Sequence, residues 1–129
     1  MSSTLAKTID DAINEARRML NDARAPYRYS DTDMLAHLNT ALAEVYRYRP
    51  DAYIGNFTTA TLGVNPVTSY AATDMGVNKL FPIDNRMFFN PVVFFMVGRA
   101  ELGDDEYTEN SRATGLLQSF RAMLIGEGG

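Results

Sequence analysis

Cysteine and tryptophan are absent from the 129 residues, and histidine occurs once, as His37. Without cysteine there is no disulfide framework, no thiol nucleophile and no zinc site built on thiolates. A lone imidazole lacks the second group that metal binding or nucleophile activation needs, so His37 reads as a helix-surface residue without a role. Positive charge is also short. Twelve Lys and Arg against 16 Asp and Glu leave a net charge of -4, the opposite of what a protein coating phosphate backbones requires. The most apolar stretch, Met87 to Val97, is too short for a bilayer and is broken by Asn90-Pro91. The opening residues are polar, with Lys7 followed by Thr8, Asp10 and Asp11 where a secretory signal has an apolar core. The expectation is a soluble product made in the cytoplasm, with no membrane partner.

Reactive motifs are missing in the same uniform way. Gly55, Gly63 and Gly76 are isolated and form no phosphate-cradling loop, and no serine sits in a Gly-x-Ser-x-Gly elbow. The strongest charge run, Glu101, Asp104, Asp105, Glu106 and Glu109, lacks the alternating ligands and glycine of a calcium loop. It falls where one helix ends and the next begins, so helix capping is the favoured reading. No catalytic residue, metal or cofactor is assigned, and the chain reads as a non-enzyme.

What the sequence does contain is amphipathic helix. A hydrophobic fraction of 46% and a charged fraction of 22% suit one globular domain, residues 1–129. Leu5, Ile9, Ile13, Ala16 and Leu20 recur at helical spacing and predict a helix over 4–23, capped by Ser2, Ser3 or Thr4 and ended by Asn21-Asp22 and Pro26. A second helix, 31–48, starts at Ser30 with Asp33 in capping-box spacing and stops at Pro50. A third, 84–103, is capped by Asp84, with Asn90-Pro91 as a cleaner alternative start, and its Val92, Val93, Phe94, Phe95, Met96 and Val97 leave no polar side. A fourth, 105–124, carries Ala113, Leu116, Leu117, Phe120 and Leu124, followed by a flexible tail, 125–129. Between the two helical hairpins lies the threonine-rich, low-charge stretch 54–83. Phe57–Leu62 there could pair with Val67–Tyr70 across Gly63–Pro66. The predicted fold is mainly α: about four helices in two hairpins, with a long extended or β-hairpin-like arm inserted between them.

Two clusters frame the second helix: Tyr27, Arg28, Tyr29 before it and Tyr46, Arg47, Tyr48, Arg49 at its end. Stacked bases and paired phosphates are one reading. Helix-end capping and protein–protein contact are the favoured ones, because Arg complements last-turn carbonyls and Tyr and Arg are enriched at interfaces.

At this point the residues resemble a family. The stretches "ARRMLNDARAPYRYSDTDMLAHLNTALAEVYRYRPDAY" and "FPIDNRMFFNPVVFFMVGRAELGDDEYTENSRATGLLQSFRAML" resemble the small head-to-tail adaptor proteins of tailed bacteriophages. The shared features are Leu-Asn-Asp ending the first helix, Tyr-Arg-Tyr-Ser-Asp opening the second with Leu38-Asn39 and Ala41, and Arg49-Pro50-Asp51 closing it. Pro82, the apolar helix, Asp104-Asp105-Glu106-Tyr107 and the helix with Phe120 complete them. Residues 54–83 match less clearly.

The resemblance implies a structural virion protein in the neck between capsid and tail. It would form a homo-oligomeric ring, commonly dodecameric, on the portal protein, extend the DNA channel and dock a downstream tail or nozzle protein. Genomic DNA would pass without specific binding. The C-terminal segment, Leu124 and Ile125 onward, would reach toward the portal. The expected subunit or portal interface is then Tyr27, Arg28, Tyr29, Tyr46, Arg47, Tyr48 and Arg49, with Phe57, Leu62 and Tyr70 of the arm and Leu124 and Ile125 of the tail. Arg28, Arg47 or Arg49 would pair acidic residues on an adjacent copy.

Three alternatives stand beside it: another tail-completion component, a helical DNA-binding module, and a small acid–base or metal enzyme around Glu101–Glu109. The DNA-binding alternative separates on charge. An adaptor should show almost no duplex affinity in an electrophoretic-mobility titration at low salt, whereas tight binding that weakens steeply with added salt would favour the DNA module.

Overall fold

The computed structural model describes residues 7–22, 24–56, 67, 69–102 and 110–125, with the backbone alone for 54–56, 110 and 111. It is organised around a helix whose middle has no polar side. That helix, α3 (Asn85–Leu102), buries Phe88, Phe89, Val92, Val93, Phe95, Met96, Val97 and Ala100. Residues 91–98 leave none of their number exposed, and three other helices pack on α3: α1 (Ile9–Met19), α2 (Asp31–Tyr48) and α4 (Asn110–Ile125). The chain is thus mainly helical, and no named strand occurs among the described residues.

Helices consecutive in the chain pack antiparallel, and α1 runs parallel to α3. The end of α1 meets the start of α2 through Arg17 and Asp31, and the end of α2 meets the end of α4 through Arg49 and Leu124. The start of α3 lies at that same end, where Lys7 sits over the Phe89 ring and Arg49 over the Phe88 ring. One end of the bundle therefore holds the starts of α1 and α3 and the ends of α2 and α4.

Sequence sets most of the helix bounds through caps. Thr8 is extended (φ -109°, ψ 169°), and its hydroxyl accepts the Asp11 N–H while the Asp11 carboxylate accepts the Thr8 N–H. This reciprocal capping box starts α1 at Ile9. The expected start near residue 4 is corrected: Thr8 is the cap, and residues 1–6 lie outside the described residues. α1 ends at Met19, short of the predicted 23, just before the expected Asn21-Asp22 stop. Asn21 adopts φ 56°, Asp22 N–H donates to the Arg17 carbonyl and Asn21 N–H to that of Arg18, a Schellman motif with asparagine in the left-handed position.

For α2 the Ser30 hydroxyl accepts the Asp33 N–H, and the helix ends before Pro50, so the predicted span 31–48 is the observed one. α3 begins after Asp84, whose carboxylate accepts the Arg86 N–H. It then runs through Pro91, so Asn90-Pro91 is not a helix start. An interior proline costs about 3 kcal/mol. Burying the neighbouring Phe88, Phe89, Val92 and Val93 contributes about 1.5–3 kcal/mol each, and burial prevails.

Among the described residues, the inserted stretch shows no extended or β-hairpin arm of the kind its composition suggested. Pro50–Asn56 forms a 3-10 segment that turns the buried Tyr53 back onto α2, its hydroxyl donating to the Leu42 carbonyl. Ala72–Asp74 is a second 3-10 turn. Val67, Tyr70 and Met75 pack against the core, and Lys79–Phe81 lies beside Lys7–Ile9 through an antiparallel bridge between Thr8 and Leu80. The described part of the stretch thus folds onto its own bundle. Phe57–Leu62 and Gly63–Pro66 lie outside the described residues, as do Gly103 and the expected fourth-helix start at 105. The fourth helix continues through Ile125, so Leu124 is helical and wholly buried where a flexible extension was expected to begin nearby.

Gly98 sets how closely α3 and α4 approach. A methyl there would lie 3.0 Å from Leu117 side-chain carbons and 3.2 Å from the Ala113 carbonyl oxygen, whereas one at Gly115 would meet nothing. Gly98→Val should therefore destabilise the fold by about 2 kcal/mol in urea melts, through overpacking. Gly115→Ala should stabilise it by about 0.5–1 kcal/mol through helix propensity. Equal effects at the two positions would contradict this account of the helix contact.

Candidate functional site: the helix ends and their arginines

The first Tyr/Arg cluster is held by an arginine of α1. Arg17 is only 3% exposed. Its Nη1 donates to Asp22 Oδ2 at 2.7 Å and to the Tyr29 carbonyl at 2.8 Å, and its Nη2 donates to Asp31 Oδ1 at 2.7 Å. The Tyr27 ring covers the guanidinium, 4.0 Å from centroid to Cζ. Asp22, buried by the turn that ends α1, also accepts the Arg28 N–H at 2.6 Å and the Tyr29 N–H at 3.1 Å. Both members of the buried pair thereby gain the additional hydrogen bonds that offset desolvation. The group fixes the α1–α2 connection, and Tyr27 remains half-exposed above it.

The second cluster closes the opposite end. Arg49 donates from Nε and Nη2 to the Asp51 carboxylate at 2.9 and 2.8 Å, and from Nη1 to the Leu124 carbonyl at 2.8 Å. These hydrogen bonds hold the Asp51 carboxyl below the usual carboxylate range. The Leu124 contact satisfies an orphan carbonyl in the last turn of α4. Tyr46 meets Tyr53 edge-on at 5.7 Å, and Tyr48 meets Phe120 at 6.4 Å. Burial pushes the Tyr53 phenol well above its ordinary pKa. Arg47 points outward, 70% exposed at its side chain, with Glu44 3.5 Å away.

Of the expected interface residues, then, Arg49, Tyr46, Tyr48 and Leu124 engage their own subunit, and Arg17 draws Tyr27 and Tyr29 into the same role. Ile125 ends α4 exposed. Tyr70 is pinned by Asn39, which no local pattern singles out: Asn39 Nδ2 donates to the Tyr70 carbonyl and Asn39 Oδ1 accepts the Tyr70 N–H, both at 2.9 Å. A primary amide presents the same donor–acceptor pair as a peptide group, so Asn39 serves as a one-residue ladder for the extended chain. Phe57 and Leu62 lie outside the described residues.

Glu101, read with the acidic run, is a buried tie in α3. Its Oε2 lies 3.4 Å from Arg112 Nη1, while Arg112 Nη2 donates to the Met19 carbonyl at the end of α1. Asp104, Asp105, Glu106 and Glu109 lie outside the described residues, among which no group of three or more potential metal-ligating side chains occurs. His37 is partly buried in α2, and burial, with a smaller contribution from Arg99, lowers its pKa. No helix among the described residues is long and apolar enough to cross a membrane.

What remains exposed is unevenly placed. Among the described residues, Val77, Leu80, Met87, Met123 and Ile125 are five of the seven exposed large hydrophobics. All five belong to the end of the bundle that holds the starts of α1 and α3. Gly76 N–H is bonded to the Asp10 carboxylate there, Leu80 pairs with Thr8, Met87 lies in the first turns of α3, and Met123 and Ile125 lie in the last turn of α4. Comparison with family models, curated sequences and solved structures returns no match for this chain.

The Arg17 assembly makes a direct prediction. Arg17→Met keeps the aliphatic packing but strands Asp22 as a buried, unpaired carboxylate, and should lower stability by about 3–5 kcal/mol in chemical denaturation. The double variant Arg17→Met/Asp22→Leu should recover part of that loss. A loss below about 1 kcal/mol in the single variant, the range of an exposed pair, would show that the group is not the anchor of the α1–α2 connection.

Proposed function

We propose that this protein is a structural subunit of a phage neck, a head-to-tail adaptor that assembles as a ring on the portal, extends the DNA channel and docks the tail. The observation that carries the reading is the apolar end formed by Val77, Leu80, Met87, Met123 and Ile125 on an otherwise acidic, helical subunit. Exposed apolar side chains gathered at one end of a domain mark a surface that another protein covers. The end also carries the last turn of α4, beyond which the chain continues as Gly126–Gly129. It is therefore the end assigned to the portal.

The internal use of arginine fits the same role. Arg17, Arg49 and Arg112 are each committed to carbonyls and carboxylates of their own subunit. The acidic excess of the sequence is left to the surface, and an acidic channel wall repels phosphate and lets DNA slide. Arg47, at the exposed side of α2, remains the seam residue of the second cluster.

The test is capture of the full chain by purified portal. Leu80→Asp and Met87→Asp, both at sites more than half exposed, should keep the wild-type circular-dichroism spectrum and melting temperature yet weaken capture by about tenfold or more. Undiminished capture of both folded variants would remove the apolar end from the interface.

A further inference from the structure

α2, α3 and α4 enclose a cleft of about 310 Å³ to which α1 contributes nothing. Its floor is apolar: Phe95 and Phe120 lie 4.8 Å apart between ring centroids, with Tyr48 edge-on to Phe120 and Leu117 beside them. Its rim carries two cations. The Arg99 guanidinium lies over the Phe95 ring at 5.8 Å, and that of Arg121 over the Tyr48 ring at 5.9 Å. Neither has a carboxylate within ion-pair distance among the described residues, where the ion pairs all engage other cations. Glu44 also lines the cleft, and Arg47 is 3.5 Å from its carboxylate. The result is a basic, aromatic-floored hollow on a molecule of net charge -4. Its chemical complement is an aromatic side chain bracketed by carboxylates, the ring on the floor and the carboxylates on the guanidiniums.

The chain itself carries one such stretch. Of its seven tyrosines, Tyr27, Tyr29, Tyr46 and Tyr48 each adjoin an arginine, Tyr53 is buried, and Tyr70 stands between Ser69 and Ala71. Tyr107 alone follows three carboxylates, in Asp104-Asp105-Glu106-Tyr107, and precedes another at Glu109. We infer that the cleft receives this acidic stretch from a second copy of the chain. The contact is heterologous: the cleft of one copy takes the 104–109 stretch of the next, and its own stretch goes to a third. Such contacts close into a ring when the rotation between copies permits. The inference rests on the ring reading above and supplies it with a seam.

The experiment is sedimentation of the full chain at low ionic strength, alone and bound to portal, with anisotropy of a fluorescein-labelled peptide of residues 103–109 as a second readout. Wild type should self-associate in one or both settings. Arg99→Glu/Arg121→Glu, two exposed positions, and Tyr107→Ala should each weaken association by about tenfold or more. The labelled peptide should bind wild type, and Arg99→Glu/Arg121→Glu should abolish that binding. Mixing Arg99→Glu/Arg121→Glu with Asp104→Lys/Asp105→Lys/Glu106→Lys should restore part of the association, because the exchanged charges again complement each other. Folded variants that associate as tightly as wild type, with no peptide binding, would overturn the seam and leave the ring standing. A wild-type chain that stays single in both settings would overturn the seam and the ring together.

Discussion

The fold depends on one constraint: the middle of α3, residues 91–98, has no polar side chain and leaves no residue exposed, so it is covered on all sides. α1, α2 and α4 supply the cover, and the glycine at position 98 lets α4 approach closely enough for Leu117 to fill the contact. A helix enclosed in this way has little room to shift, since close-packed interiors respond to even one added carbon. Burial here also outweighs the intrinsic cost of Pro91 within the helix. The bundle that results is packed around one core, and its individuality lies at its two ends and along its exposed sides.

At those ends, arginines do what backbone geometry leaves undone. Arg17 takes the Tyr29 carbonyl together with Asp22 and Asp31, Arg49 takes the last turn of α4, and Arg112 takes the last residue of α1. Each planar guanidinium satisfies several acceptors at once, which one ammonium group cannot do with the same geometry. Within the described residues, Arg49, Tyr46, Tyr48, Tyr27 and Tyr29 make contacts inside their own subunit. Candidate surfaces for other proteins also include the groups left over: the apolar end around Leu80 and Met87, and the Arg99–Arg121 cleft. The proposed neck role makes use of both, one facing the portal and one facing the next copy.

Helix type and order were legible because the stripes are long and the stops are chemical. Ser30 and Pro50 bound α2 unambiguously, and Asn21-Asp22 stops α1 by a motif whose residues can be read directly. The start of α1 was less legible because Ser2, Ser3, Thr4 and Thr8 are all competent caps. Only the reciprocal bond between Thr8 and Asp11 distinguishes the one in use. The inserted stretch was misread for a physical reason: low charge and many threonines suit an extended arm and equally suit a chain pinned across a bundle. The pin, Asn39, sits on α2, 31 positions from its partner, and no local pattern reports so distant a bond. Arg17 was likewise hidden, since its helix position reads as surface until Asp22 and Tyr27 enclose it. The cleft was illegible altogether, because it joins side chains from three helices whose relative rotation no single stripe specifies.

The central claim is that this molecule works by joining copies of itself and a larger ring beneath them. The most direct measurement is the native mass of the purified full-length chain, alone and after mixing with portal. The account predicts a defined multimer of the chain on the portal, with subunits added in fixed number. A chain that remains a single copy in the presence of portal and of every tail component would contradict it.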